Sequence, residues 1–513
     1  MTAEIELKLL IDPADVLKLR RMPALKTWST ARPVSRKLIT TYYDTPDLAL
    51  WHAGVTLRVR RVGRGWIQTI KGGDAAHTGL HQRMEWESPV VCSTPDLSKI
   101  TDHALFQLFS HHALRDRLQP VFITGFRRTS WLLSFAEGDE IELSLDQGEV
   151  KAGQSVAPIC EVELELKAGR PVKLYEVALQ LLESVQLMPE NSSKAERGYA
   201  LYSGAPALPV KAAPPRLTPA MSANEAFKAI ADSCIVHLQA NQEGMLLGQE
   251  PEYLHQMRVA LRRLRSAQSL FVSVIPRATY PEIAEGVKWL AEQLGPARDW
   301  DVFVTETLPP LMEQFPGEEA LTAMHRRALA RQRHHNEIAH AAVRSRRYAK
   351  LLLTLGAWLE QEEWRVHLTD VKQQELAAPV DKLARRTLDR LHKRLCKRGH
   401  HLTRLSMTER HVVRIAAKKL RYAAEFFVEL YANKRVQPYL NALADLQDGL
   451  GALNDVATTQ RLLASLHTSE SGVAQGKAIG RVTNWVACRC SEFLASMGKA
   501  WKAFLRKKPF WEK

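Results

Sequence analysis

Residues 160–169 read C-E-V-E-L-E-L-K-A-G, so Glu161, Glu163 and Glu165 alternate with Val162, Leu164 and Leu166. Strict alternation of polar and apolar residues is the period of a β-strand. What sets this stretch apart is its polar face, which carries carboxylates alone. Like charges spaced ~7 Å apart along one strand repel unless opposite charges face them. Residues 4–8, E-I-E-L-K, repeat the pattern with Glu4, Glu6 and Lys8 on one face. Arg58 and Arg60 share a face in V-T-L-R-V-R-R, Glu85 and Glu87 follow Arg83, and Glu142 shares a face with Asp146. A closed antiparallel barrel supplies the required geometry, because each strand aims alternate residues into one lumen. Carboxylates on some strands then face arginines and lysines on others. Gly63/Gly65, Gly72/Gly73, Gly138/Asp139 and Gly148 supply the turns, and helical spacing near residues 13–21 and 171–187 adds a few helices.

The chain has 513 residues and a formal net charge of +15. Residues 1–210 hold 25 basic and 25 acidic side chains, so the excess of 46 over 31 lies entirely in the remainder. Two physically different modules are therefore expected, divided by the proline-rich stretch S-G-A-P-A-L-P-V-K-A-A-P-P-R-L-T-P-A. No run of about 18 apolar residues exists, so no membrane span is expected. The acidic N-terminus does not read as an export signal. Six cysteines are sparse for this length and fit a reducing cytoplasm. Cys488 and Cys490 form a lone C-x-C with no second ligand pair, so no zinc site is expected.

Two acidic strands meeting in one lumen offer oxygen ligands for a hard divalent cation such as Mg²⁺ or Mn²⁺. Arg58, Arg60, Lys71, Arg83, Arg128 and Lys194 lie around them in the sequence. That much fixed positive charge calls for an anion with several negative charges, and a metal-bridged polyphosphate satisfies both sets. The motifs are Glu4-x-Glu6-x-Lys8, Tyr43-Asp44-Thr45, Leu57-Arg58-Val59-Arg60, Thr69-x-Lys71 and Arg83-x-Glu85-x-Glu87. Phe126-x-Arg128-x-x-Trp131, Asp146, Glu163-x-Glu165 and Ser193-Lys194 follow. Together they resemble the CYTH domain of the triphosphate tunnel metalloenzymes, across residues 1–202. The resemblance implies an eight-stranded antiparallel tunnel in which Glu4, Glu6, Glu163 and Glu165 bind metal. Lys8, Arg58, Arg60, Lys71, Arg83, Arg128 and Lys194 would clamp phosphates, with Glu4, Glu6, Lys8 and Glu165 in catalytic roles. It implies hydrolysis of a terminal phosphoanhydride by an activated water, oriented by Glu6 or Glu165. Arg127 is expected to point out of the tunnel, and Trp51, Trp66 and Trp86 to pack the barrel.

Beyond the linker the apolar spacing turns helical, and the half repeats itself. H-Q-M-R-V-A-L-R-R-L-R at 255–265 matches H-V-V-R-I-A-A-K-K-L-R at 411–421, and L-G-P-A-R-D at 294–299 matches L-G-A-L-N-D at 450–455. Both matches share an offset of 156. His255, Arg258, Arg262 and Arg265 form one helical stripe, and His411, Arg414, Lys418 and Arg421 repeat it. Arg263 and Lys419 add charge without acidic partners one turn away. Residues 381–421 hold 14 basic side chains against three acids, which suits a polyanionic partner. The H-x-x-R stripe with Leu-Gly-x-x-x-Asp downstream resembles the CHAD domain over residues 220–505. That resemblance implies two four-helix bundles around a basic cavity that binds inorganic polyphosphate. The second copy departs at Asn454 and Val456, where the first has Arg298 and Trp300.

The fold expectation is an α+β multidomain chain. A CYTH tunnel over 1–202 and a linker over 203–219 precede a CHAD domain of repeats at about 220–365 and 366–505. The order CYTH then CHAD resembles that of bacterial inorganic triphosphatases. The expected activity is metal-dependent conversion of inorganic triphosphate to pyrophosphate and phosphate. The alternatives are another organic triphosphate as substrate, or a non-catalytic polyphosphate scaffold. No nucleic-acid reading motif is present, so nucleic acid is not the expected partner. The sequence carries no signal for an oligomeric state.

Overall fold

The structure, a computed structural model, describes residues 2–77, 79–110, 112–248, 250–466 and 473–512. Side chains at 2–4, 73–77, 81–84, 104, 112–113, 452–455, 473–475 and 489–496 lie outside that description. By contacts the chain divides into two units, Met1–Leu208 with Ser345–Glu362, and Pro209–Arg344 with Glu363–Lys513.

The first unit is built on nine strands. They are β1 (Thr2–Ile11), β2 (Val34–Asp44), β3 (Val55–Val62), β4 (Gly65–His77), β5 (Leu80–Val90), β6 (Gln119–Ser134), β7 (Glu140–Ala152), β8 (Ser155–Ala168) and β9 (Leu187–Pro189). The order is β5-β4-β3-β2-β6-β7-β8-β1-β9, and β1 also pairs with β5, so eight antiparallel strands close on themselves. Closure leaves none of those eight with an open ladder. Beyond the end of β5, β9 continues along the same edge of β1 through Leu9–Ile11. The β7–β8 hairpin turns through Gly153, whose φ of 57° is left-handed, the conformation tight hairpins demand and glycine tolerates.

The barrel is inverted relative to an ordinary core. Leu7, Leu9, Leu143, Leu145, Val162 and Leu164 are all 0% exposed, yet they alternate with the charged residues and so face outward. They form one cluster with Leu174, Val177, Ala178 and Leu181 of the Val172–Leu182 helix. Each such side chain contributes roughly 1.5–3 kcal/mol when fully buried. The apolar layer therefore lies outside the strands and the lumen is left to polar groups.

Ala349 and Leu353 of the Arg346–Gln361 helix complete the same cluster. That helix also donates from Arg346 Nη1 to the Glu183 carbonyl at 3.2 Å. It lies within the span expected to be the first helical repeat, but by contacts it belongs to the first unit.

The second unit is helical. Helices Ala223–Ala240, Pro251–Leu270, Pro281–Val302 and Glu319–Arg344 are followed, about 156 residues on, by Val380–Arg398, Met407–Phe426, Asn433–Leu466 and Val473–Leu505. The duplication read from the sequence thus reappears element by element. Trp300, Phe303 and Leu311 of the first repeat share a buried cluster with Leu462, Leu463 and Val482 of the second. Among the described residues, no helix is long and apolar enough to cross a membrane.

Leu353→Ala is expected to destabilise the first unit by about 2–5 kcal/mol, the cost of a large-to-small change in a packed core. Urea unfolding followed by circular dichroism measures it, and an effect below 1 kcal/mol would remove the helix from that core.

Candidate active site

The barrel's register decides which side chains meet. Glu6 lies opposite Glu165 and Lys8 opposite Glu163 across β1 and β8, while Asp146 lies opposite Glu161 and Arg128 opposite Asp146. Arg58 faces Tyr42, Arg60 faces Thr40, and Lys71 faces both Thr56 and Glu85. The resulting cavity is lined by six cations, Lys8, Arg58, Arg60, Lys71, Arg128 and Lys194, and by two carboxylates, Glu6 and Glu163. Tyr42, Thr56 and Ser193 supply hydroxyls to the same lining.

Lys194 is placed by a helix terminus. Ser193 caps the Lys194–Ser203 helix: its hydroxyl accepts from the Glu196 N–H at 3.1 Å, and Glu196 accepts from the Ser193 N–H at 2.6 Å. This reciprocal cap satisfies two end donors and fixes the direction of the first helical side chain. Gly198 lets the helix approach the barrel, because a Cβ there would stand 2.1 Å from the Phe122 ring. The Lys194 ammonium enters a nest of three buried carboxylates, 2.7 Å from Asp146 and 2.8 Å from Glu163, with Glu161 also in contact. Burial opposes its charge, but Asp146, Glu161 and Glu163 outweigh that and hold its pKa above the usual value. Arg128 forks onto Asp146 at 2.8 and 2.7 Å and also meets Glu163. Burial would raise the Glu163 pKa, yet Lys194, Arg128 and Lys8 hold it well below its ordinary 4.5.

Asp146, Glu161 and Glu163 bring oxygens within 4.8 Å of one another, which is metal-ligand spacing. That set differs from the expected ligands Glu4, Glu6, Glu163 and Glu165, and cations already occupy its centre. Glu6 differs: its ion-pair partner among the described residues is Lys8, at 3.6 Å. Glu165, which faces Glu6 in register, pairs with Lys167 at 2.5 Å. Hard carboxylate oxygens on Glu6, Glu163 and Glu165 fit Mg²⁺ or Mn²⁺. The side chains of Glu4 and Arg83 lie outside the described residues, although the backbone register sets the two positions opposite each other.

At the β3 side the balance is reversed. Arg58 and Lys71 share Glu85, each at 3.1 Å. Arg60 has no carboxylate within ion-pair distance among the described residues, and its Nε donates to Thr40 Oγ1 at 3.0 Å. Burial, then Arg58 and Arg128, push the Arg60 pKa down to about 10. Burial opposes the charged Tyr42 phenolate, but Arg58 and Arg60 outweigh it and lower that pKa. Beyond burial, both shifts carry the positive field of neighbouring guanidiniums, as an anion site does.

Other motif residues prove structural. Asp44 is fully buried and accepts from the N–H groups of Thr45, Leu50 and Trp51 at 2.7, 2.9 and 2.9 Å, which builds the turn after β2. Trp51 stacks on Tyr199 with centroids 4.5 Å apart, Trp66 and Trp86 pack a second cluster, and Arg127 is exposed. Glu161, Tyr42 and Ser193 were missed as lining or nest residues. Glu161 carried the signal of its acidic strand.

In the helical unit, Pro251–Leu270 packs on Met407–Phe426 and the two basic stripes meet. His255, Arg262, Lys418 and Arg421 line one cavity, and Arg262, Arg265 and Lys418 line an adjoining depression with Arg277, Lys288 and Lys419. Arg258 instead turns to the Ala291 carbonyl at 3.4 Å, His411 is exposed, and neither they nor Arg414 line these hollows. Burial, then Arg298, push the His255 pKa down to about 4, so it is uncharged at neutral pH. Arg263 has a partner from the other repeat, Glu425 at 3.3 Å, which a search one helical turn away does not find.

Lys194→Met is expected to cost about 3 kcal/mol at neutral pH, since removing one member of a buried ion cluster strands the others. The sign with pH follows from the carboxylates. Held low by Lys194, Glu161 and Glu163 give wild-type stability above their unfolded values, and it is lost as pH falls through their folded ones. Without the ammonium their pKa values rise, so the deficit is largest near pH 7 and shrinks below about pH 4.5. Urea titrations at several pH values measure it; a deficit that grows on acidification contradicts the nest.

Comparison with known proteins follows the same division. The CYTH domain family matches residues 2–199 and the CHAD domain family matches residues 229–464. An inorganic triphosphatase of Haemophilus influenzae is 35% identical over 205 residues, 40% of this chain and 56% of that protein, so the match spans little more than half of the relative. The crystal structure of the CHAD domain from the plant Ricinus communis is 32% identical, with a TM-score of 0.52, covering 59% of this chain and 98% of that one. A Hippeastrum protein described as a putative adenylyl cyclase with a dominant triphosphatase activity is 17% identical, with a TM-score of 0.29, over 39% of this chain and 96% of its own. The chain belongs to the CYTH and CHAD families, with a CYTH domain followed by a CHAD domain.

Proposed function

We propose that the tunnel hydrolyses inorganic triphosphate to pyrophosphate and phosphate with Mg²⁺ or Mn²⁺, in the cytoplasm, and that the helical unit binds inorganic polyphosphate. The observation that carries the reading is Arg60, a guanidinium enclosed beside Arg58 and Arg128 with no carboxylate against it among the described residues. A half-buried charge with no counter-ion against it is costly, and a ligand with several anionic oxygens removes that cost. The similarity to a triphosphatase over the CYTH region supports the same substrate class.

In this reading Arg58, Arg60 and Lys71 hold phosphate oxygens along one wall and Tyr42 donates its hydroxyl to them. Arg128 and Lys8 neutralise charge from the opposite side while remaining fixed by Glu163 and Asp146. When bound, the divalent cation supplies a Lewis acid for phosphate oxygens, held by Glu6, Glu163 and Glu165. Glu6 or Glu165 orients a water for attack on the terminal phosphorus: a new P–O bond forms and the bridging P–O bond breaks. Pyrophosphate leaves with the bridging oxygen, and the water's protons pass to the phosphate products and solvent. Catalysis is then positioning plus electrostatics, with no covalent enzyme intermediate. Polyphosphate binding rests on the depression at Arg262, Arg265, Lys418 and Lys419, whose charged lining residues are all cations.

A phosphate-release panel of triphosphate, ATP, thiamine triphosphate and long-chain polyphosphate, each with Mg²⁺ and Mn²⁺, tests the substrate. Triphosphate is expected to be the best substrate by tenfold or more. Glu6→Gln is expected to lower kcat by at least a hundredfold with an unchanged melting curve. Full activity in that variant, or release without divalent cation, contradicts the reading.

A further inference from the structure

We propose that the cavity of about 710 Å³ between Pro251–Leu270, Met407–Phe426 and Asn433–Leu466 binds a nucleoside polyphosphate. The volume suits a compact organic ligand. One part of its wall carries Arg262, Lys418 and Arg421, a phosphate-binding set that rests on the polyphosphate reading above. The rest of the wall differs from the adjoining depression chiefly in its carboxylates, since that depression also carries Tyr280, Tyr422 and Gln268. Tyr422 and Tyr431 bring aromatic rings, Asn433, Gln437 and Gln447 bring amides, and Glu425 and Glu429 bring carboxylates.

The chemistry of that second set selects the ligand. An inorganic phosphate chain near neutral pH offers acceptors and almost no donors, so carboxylates and amide oxygens gain nothing from it and repel it. Glu425 is already held by Arg421 at 2.7 Å and Arg263 at 3.3 Å, but Glu429 is exposed beside the amides. Gln447 is 9% exposed; its oxygen accepts from Arg421 Nη1 at 3.3 Å, and its Nε2 has no hydrogen-bond partner. That nitrogen is covered as the side chain stands, and rotation of the amide into the cavity would let a ring nitrogen or carbonyl satisfy it. His255, uncharged at neutral pH, adds a neutral donor or acceptor instead of another cation. A nucleoside polyphosphate meets every part: phosphates for the guanidiniums and ammonium, sugar hydroxyls and exocyclic amines for the carboxylates and amides, and a base to stack on tyrosine. The adjoining depression has no carboxylate in its lining and remains the surface for the inorganic chain. Arg262, Lys418 and Tyr422 line both, so the two ligands compete.

The test uses the full chain with the tunnel silenced by Arg58→Ala and Arg60→Ala, in EDTA, with ATP and inorganic triphosphate titrated by calorimetry. ATP is expected to bind at least tenfold tighter than triphosphate. Gln447→Met is expected to lose about tenfold in ATP affinity while retention on immobilised polyphosphate stays unchanged, and the exposed Gln437→Ala gives a second reading if the first variant melts early. Equal binding of ATP and triphosphate, or no effect of either variant on ATP, overturns the nucleotide assignment. Loss of both ATP binding and polyphosphate retention in the parent chain overturns the phosphate-binding reading beneath it as well.

Discussion

The contact of Lys194 with Asp146, Glu161 and Glu163 is the constraint on which the tunnel depends. Three carboxylates converging from β7 and β8 would force those strands apart if each kept its charge unopposed. One ammonium delivered by a capped helix turns that repulsion into attraction, and Arg128, Lys8 and Arg197 complete the neutralisation. The capping box at Ser193 and the close seat of Gly198 on Phe122 belong to this constraint, because both determine where the ammonium arrives. With one wall of the lumen balanced internally, the positive surplus lies on the opposite wall, where Arg58 and Lys71 share Glu85 and Arg60 has no carboxylate against it among the described residues.

Inversion of the barrel makes that surplus tolerable. The strands direct Leu7, Leu143, Val162 and Leu164 outward into a layer covered by helices, so most of the hydrophobic stabilisation lies outside the lumen. The interior can then hold polar groups that a filled barrel would exclude. Similar specialisation separates the two units. In the first, opposed charges cancel around a narrow channel. In the second, cations from two repeats converge with few acids near them, and one hollow departs from that rule by adding the carboxylates Glu425 and Glu429.

Much of this was legible in the sequence, for a physical reason. A strand's two-residue period exposes which side chains share a face, so Lys8, Arg58, Arg60, Lys71, Arg128, Glu6 and Glu163 could be assigned to one lumen before the strand order was known. Register could not be read in the same way. The meeting of Asp146, Glu161 and Glu163 around Lys194 depends on which residues lie opposite across β7 and β8, which an alternating pattern does not carry. The duplicated helices were visible through a shared offset. The place of Arg346–Gln361 was not, since its periodicity announces an apolar helix without naming what covers it. Arg258 and Arg263 make the same point: a helical stripe fixes their side, while the Ala291 carbonyl and Glu425 that hold them come from distant helices.

The proposed triphosphate site turns on Arg60, the tunnel guanidinium with no carboxylate against it among the described residues. Calorimetric titration of inorganic triphosphate into the isolated CYTH match, extended by the Ser345–Glu362 segment and compared with its Arg60→Ala variant in EDTA, addresses it without reliance on turnover. Binding that weakens by at least tenfold in the variant, with an unchanged melting curve, is the predicted result. Equal affinity in the two proteins would contradict it.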